Sequence, residues 1–112
     1  RALRMSRGLG DVYKRQITVV AVLKAKPGAE QKVAAAMHAC IAPTLKEAGN
    51  ISYVPQQDQD DAQTLIFVER WASRKSLEEH METPHFKVMI DNVKDLLAAP
   101  PAVHVLKPIS EG

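Results

Sequence analysis

Four residues have side chains suited to proton chemistry and stand among apolar neighbours: His80, His85, Glu69 and Tyr53. Imidazole titrates near neutral pH, so His80 and His85 are the candidate general bases. Glu69 alternates with Phe67 and Trp71 in LIFVERW, and a carboxylate on such a face must be paired, hydrogen-bonded or neutral. Its expected task is to orient His80 and stabilise its charged form. Tyr53 is the expected hydrogen-bond donor to a substrate carbonyl, and Phe67, Trp71 and Met89 the walls of an apolar slot. That set suits removal of a proton from a bound molecule in a site closed to water.

Thr64 to Trp71 reads as a strand with Leu65, Phe67, Glu69 and Trp71 on one face. Both faces are mostly apolar, which predicts cover on both sides. Ser73 is a good N-cap for a following helix, in which Leu77, His80 and Met81 fall on one inward face. Thr83-Pro84 is a second N-cap followed by proline at the first helical position, so the helix should restart at a new angle. In one unbroken helix His80 and His85 would face different ways; the break permits them to converge.

The remaining segments complete the pattern. Ile17 to Leu23 is a β-branched strand, and Lys26-Pro27-Gly28 is a turn. Ala29 to about Ala48 carries Val33, Met37, Cys40, Ile41, Leu45 and Ala48 at helical period, with Pro43 set to interrupt it. Ile51 to Gln56 is a strand with Ile51 and Tyr53 expected on one face, and the polar Gln57–Gln63 loop should join it to Thr64–Trp71 as a hairpin. Phe86, Met89, Ile90, Val93, Leu96 and Leu97 form a further helical stripe, Ala102 to Lys107 a last strand, and Pro108 to Gly112 a short tail. The order β-α-β-β-α-β predicts an α+β, ferredoxin-like domain with a four-stranded antiparallel sheet. Helices can cover one face of that sheet. The other apolar face predicts a homodimer in which two sheets close on each other.

The 112 residues suit one domain, assigned to 17–112. No apolar run approaches 20 residues, and no apolar centre marks a signal peptide, so no membrane partner is expected. The single Cys40 excludes an internal disulfide and fits a reducing cytoplasm, where it should be an inert core thiol. The four histidines are scattered, with a single Cys in the chain and no His-x-x-x-His pair, so no metal is expected. Three Asp in Gln57–Gln63 lack the glycine and distal Glu of a calcium loop. His38 should be a rim residue, and His104 a sheet or dimer contact. Residues 1–16 hold five of the 15 basic residues and one of the 13 acidic ones, leaving the rest of the chain at −2 rather than the formal +2. That balance gives no footprint for nucleic acid. The leading segment, with its DVYKRQ at 11–16, reads as a sequencing read-through scar or a disordered basic tail.

Gly49-Asn50-Ile51-Ser52-Tyr53, Glu69-Arg70-Trp71, His80 and Thr83-Pro84-His85-Phe86, in that order, resemble the antibiotic biosynthesis monooxygenase (ABM) domain over Ile17 to about Ile109. The resemblance implies a dimeric α+β barrel with one pocket per subunit and, in the quinol-monooxygenase-like branch, oxygenation of quinols or polyketide phenols by O₂ without a cofactor. It also leaves open a non-catalytic small-molecule-binding or stress-response module and, more weakly, a sugar-phosphate isomerase, for which no phosphate cradle is evident. The haem-degrading branch carries a histidine near the position of Ile90 and an asparagine on the first strand. This chain has neither, so no haem is expected.

Overall fold

The computed structural model describes residues 15–110. Most of the basic leading segment, and with it the expectation of a scar or tail, lies outside the described residues.

The strands are β1 (Ile17–Lys24), β2 (Asn50–Gln57), β3 (Thr64–Trp71) and β4 (Ala102–Leu106). They form one antiparallel sheet in the order β2-β3-β1-β4. Four helical segments connect them: α1 (Glu30–Ala39), α2 (Ile41–Leu45), α3 (Arg74–Met81) and α4 (Pro84–Val93). This is the ferredoxin-like α+β arrangement that the element order predicts.

Alternation in β1 and β3 sends Val19, Ala21, Leu23, Leu65, Phe67, Glu69 and Trp71 to the helix side, all buried. Val33 and Met37 of α1, Leu77 of α3, and Met89 and Val93 of α4 close over them. Met81, expected to point inward, lies at the C-terminal end of α3 and is 37% exposed. No helix among the described residues covers the opposite sheet face. Across it runs the row Val54, Val68, Val20, His104, set by the strand register, with Ile66 and Val22 in the next row.

Three boundaries differ from the sequence reading, each for a local reason. The Ala29–Ala48 helix is two pieces, because Pro43 has no N–H to offer the carbonyl of Ala39, and α1 ends there. Cys40 N–H turns back instead to Met37 O at 3.1 Å. In β2 the register shifts between Asn50 and Ser52, so Ile51 bulges out and is 46% exposed while Tyr53 is buried; the two do not share a face. The helical stripe of α4 stops at Val93. Leu96 and Leu97 serve the edge of the sheet, with Lys26 N–H donating to Leu96 O at 2.8 Å and Leu97 bridging Ala25.

The turn at Lys26-Pro27-Gly28-Ala29 has Gly28 at φ 85° and Ala29 N–H donating to Lys26 O at 3.0 Å. That is the glycine-requiring third position of a type II turn with proline before it. In the hairpin loop Asp58 Oδ1 accepts from the N–H groups of Asp60 and Asp61 at 2.8 and 3.1 Å. The aspartates there organise turns, as expected of a solvated loop.

Candidate active site

His80 lies on α3 one turn after Leu77, and that spacing turns it toward the sheet. Ser73 caps the start of α3, its Oγ accepting from Ser76 N–H at 3.2 Å. Thr83 caps α4 in the same way through Phe86 N–H at 3.3 Å, with Pro84 at the first position. Thr83 Oγ1 also donates to His80 O at 2.6 Å, tying the two helices together at the break. The restart brings His85 alongside His80, ring centroids 5.9 Å apart.

Their common partner is Glu47, in the turn between α2 and β2. One carboxylate oxygen, Oε2, stands 2.7 Å from His80 Nδ1 and 2.7 Å from His85 Nε2. Sequence reasoning missed this residue. Glu47 falls on the polar side of the α1–α2 stripe, and its contacts span 33 and 38 positions. The one clue was its place two residues before Gly49, in the turn that leads into the strand of Tyr53.

Glu69 is buried on the expected face but does not reach for His80. It accepts from Trp71 Nε1–H at 2.8 Å, within its own strand. The expected Glu69–His80 pair is therefore corrected to Glu47–His80. Alternation already put Glu69 and Trp71 side by side, so the indole was the nearer donor. Burial pushes the Glu69 carboxyl up to about 7, with the Trp71 bond opposing and the Glu47 charge adding to the rise. Burial pulls His80 down; its bond to Glu47 and the Glu47 charge oppose this, while His85 adds to the fall. Tyr53 is pushed up by burial first, then by Cys40 and Glu69, so its hydroxyl stays protonated. That hydroxyl lies 3.7 Å from Cys40 Sγ, and the ring stacks on Phe67 at 4.4 Å.

Trp71, Phe67, Tyr53 and His80 are closed to solvent. The His80 ring centroid lies 4.6 Å from that of Trp71, 5.4 Å from Tyr53 and 5.0 Å from Phe86. A void large enough for a substrate would leave these rings accessible, so the expected slot against the indole is filled by the side chains meant to line it. A cleft of about 340 Å³ opens further out, between α1 and α4, lined by Ala36, Ala39, Cys40, Pro84, His85, Val88, Met89 and Asn92. Of the expected site residues, His85 and Met89 line it. Tyr53 stands behind Cys40, and Phe67 and Trp71 belong to the core.

Glu47, His80 and His85 bring three ligand atoms within 4.8 Å, which corrects the premise that the histidines are scattered. The set still fits hydrogen bonding better than a cation. A metal on His80 Nδ1 would put the ring proton on Nε2, which is buried and has no partner among the described residues. Metal-bound histidines ordinarily donate that proton to an acceptor.

A small α+β domain of ferredoxin-like topology, with a part-buried carboxylate–histidine cluster beside a cleft, is the class that fold and site define. Residues 16–92 match the antibiotic biosynthesis monooxygenase family, and the chain belongs to it. Rv0793 of Mycobacterium tuberculosis is 36% identical over 95 residues, 85% of this chain and 93% of that protein. Its solved structure superposes with a TM-score of 0.79 over 86% of this chain and 97% of the other. YgiN of Escherichia coli, whose name reads probable quinol monooxygenase, is 35% identical over 88 residues, 70% of this chain and 85% of YgiN. The uncharacterized protein sll1783 of Synechocystis is 32% identical over 91 residues, 81% of this chain, and the chain spans 62% of its length.

Proposed function

We propose that this chain is a cofactor-independent monooxygenase that oxygenates an electron-rich phenol or hydroquinone bound in the cleft between α1 and α4. The observation that carries this reading is His85: it lines an otherwise mostly apolar cleft while its ring is anchored on a mostly buried carboxylate. A phenol seated there loses its proton to His85. The phenolate passes one electron to O₂, the resulting radical pair joins at a ring C–H carbon, and loss of water leaves the quinone. Both oxygen atoms and all electrons are then accounted for by substrate and O₂ alone. Met89 and Val88 supply apolar walls, and the rings of Tyr53, Phe67 and Trp71 fix the floor behind Cys40. Glu69 holds the indole, and His80 is the second imidazole on Glu47. The family description and the printed name of YgiN support the reaction class.

The reading includes a homodimer formed through the uncovered sheet face, where Val68 is 39% exposed at the centre of an apolar row. It also includes a cytoplasmic setting, no nucleic-acid partner and no membrane partner. Among the described residues no helix is long and apolar enough to cross a membrane. Among the described residues no Lys or Arg lines the cleft, which disfavours a sugar phosphate. A non-catalytic binding module is the second reading, favoured by the filled interior around Trp71.

The test is to supply menadiol and other reduced naphthoquinones anaerobically and then admit air. The expected result is protein-dependent O₂ uptake that falls roughly 100-fold or more in His85→Ala, the scale of a lost general base. Uptake no faster than buffer across a panel of phenols would overturn the oxygenase reading and favour the binding module instead.

A further inference from the structure

We propose that Glu47 is the positioning residue of this site, fixing both imidazoles in complementary tautomers through a single carboxylate oxygen. The inference rests on the reading of His85 as the base and adds the residue that aims it.

An ionised carboxylate accepts hydrogen bonds and donates none. Glu47 Oε2 lies 2.7 Å from a ring nitrogen of each histidine, so each of those nitrogens must carry its proton. His80 is thereby held with hydrogen on Nδ1 and a bare Nε2, and His85 with hydrogen on Nε2 and a bare Nδ1. The second observation agrees for His80: its Nε2 is buried without a partner among the described residues. A bare nitrogen there wastes one acceptor, whereas an N–H would strand a donor beside Trp71 and Phe86. For His85, whose side chain is 22% exposed, the bare Nδ1 is the nitrogen left to take a proton from a molecule in the cleft.

The geometry further divides the work between the rings. His80 has no exposed surface and is wedged among Trp71, Tyr53 and Phe86, so it cannot meet substrate without displacing the core. It acts on the carboxylate instead. By donating to the same oxygen that His85 uses, it locks the Glu47 rotamer and draws charge from that oxygen. When His85 takes the substrate proton, the new imidazolium faces a carboxylate already aligned at 2.7 Å, with no reorganisation required. The logic is that of a carboxylate that orients a catalytic histidine without itself becoming protonated.

The decisive measurement is the tautomer state of each ring, read from the ¹⁵N shifts of Nδ1 and Nε2 in protein labelled at histidine, at a pH where both rings are neutral. The expected wild-type pattern is protonated Nδ1 on His80 and protonated Nε2 on His85. In Glu47→Ala His80 should lose this bias and shift toward the Nε2-protonated form that free imidazole side chains favour, while His85, already held in that form, should change less. Glu47→Gln, which keeps an acceptor oxygen without the charge, should retain part of the bias. Wild-type His80 protonated on Nε2 instead, or tautomers unchanged in Glu47→Ala, would overturn the proposal. So would a bound divalent ion whose removal by chelator moves these shifts, since Nδ1 would then be a ligand. If the variants fail to fold, the wild-type spectrum alone decides. With an oxidisable quinol in hand, Glu47→Gln should lower kcat by roughly 100-fold or more with little change in KM, the scale of a misaligned general base. Wild-type tautomers as expected with no O₂ uptake from any phenol would remove the oxygenase reading and leave the positioning role standing.

Discussion

Gly49→Ala is the most informative single perturbation, because Gly49 sets the distance between the Glu47 turn and the helix of His80. Its φ is not positive, so no backbone strain requires glycine there. Space does. A methyl at Gly49 would lie 2.1 Å from Ser76 Oγ and 2.4 Å from Ser76 Cβ. Ordinary carbon–carbon contact is about 3.5–4.0 Å. The hydroxyl can rotate away; the Cβ is fixed to α3 and cannot. The turn and α3 must therefore separate by about 1 Å. Overpacking of this kind costs about 1–3 kcal/mol, which in a domain of this size lowers Tm by roughly 10 °C at the middle of that range. Separation should also break the 2.7 Å contact of Glu47 with His80. The assay is urea denaturation of Gly49→Ala, Ser76→Gly and the double variant. Ser76→Gly alone should cost about 0.5–1 kcal/mol as a helix glycine. The double variant should be more stable than the two single effects added, by about 1 kcal/mol or more, since the clash is then gone. A Gly49→Ala cost below about 0.5 kcal/mol, or simple additivity, would refute the close approach and with it the stated reason for glycine at this position.

Two further outcomes are expected. Glu69 has its folded carboxyl raised from 4.5 to about 7, so the folded state binds the extra proton between those values, and stability is lost as pH rises through that window. Relative to wild type, Glu69→Gln should gain about 3 kcal/mol between pH 4.5 and 7; urea denaturation curves that stay parallel across that range would contradict it. Val68→Glu places a carboxylate at the centre of the uncovered sheet face, and sedimentation should show monomer for the variant against dimer for wild type. A wild-type chain that sediments as monomer at micromolar concentration would end the dimer proposal.

Much of the frame was legible in one dimension, because its causes are local. Alternation in β1 and β3 decides which side chains share a face, and it put Glu69 beside Phe67 and Trp71 correctly. Ser73 and the Thr83-Pro84 pair marked both helix starts, since a cap is a contact over three residues. Proline at 43 predicted an interruption that the structure places four residues earlier, at Ala39, whose carbonyl a proline cannot serve.

Tertiary structure alone decided what the site is made of. Glu47 meets His80 and His85 across 33 and 38 residues, through a turn whose direction depends on how α2 leaves the Pro43 break. A bulge at Ile51 reversed one expected face, because the irregularity lies in pairing with β3 rather than in β2 itself. Periodicity identified the rings that line the interior but not whether a void remains among them. That depends on summed volumes and on the angle at which α4 restarts, and the rings of Trp71, Phe67, Tyr53 and His80 fill the space. Sequence pattern fixes which side of an element is apolar, because that is a property of neighbours along the chain. Convergence and empty space are properties of elements meeting at a distance, and only packing sets them.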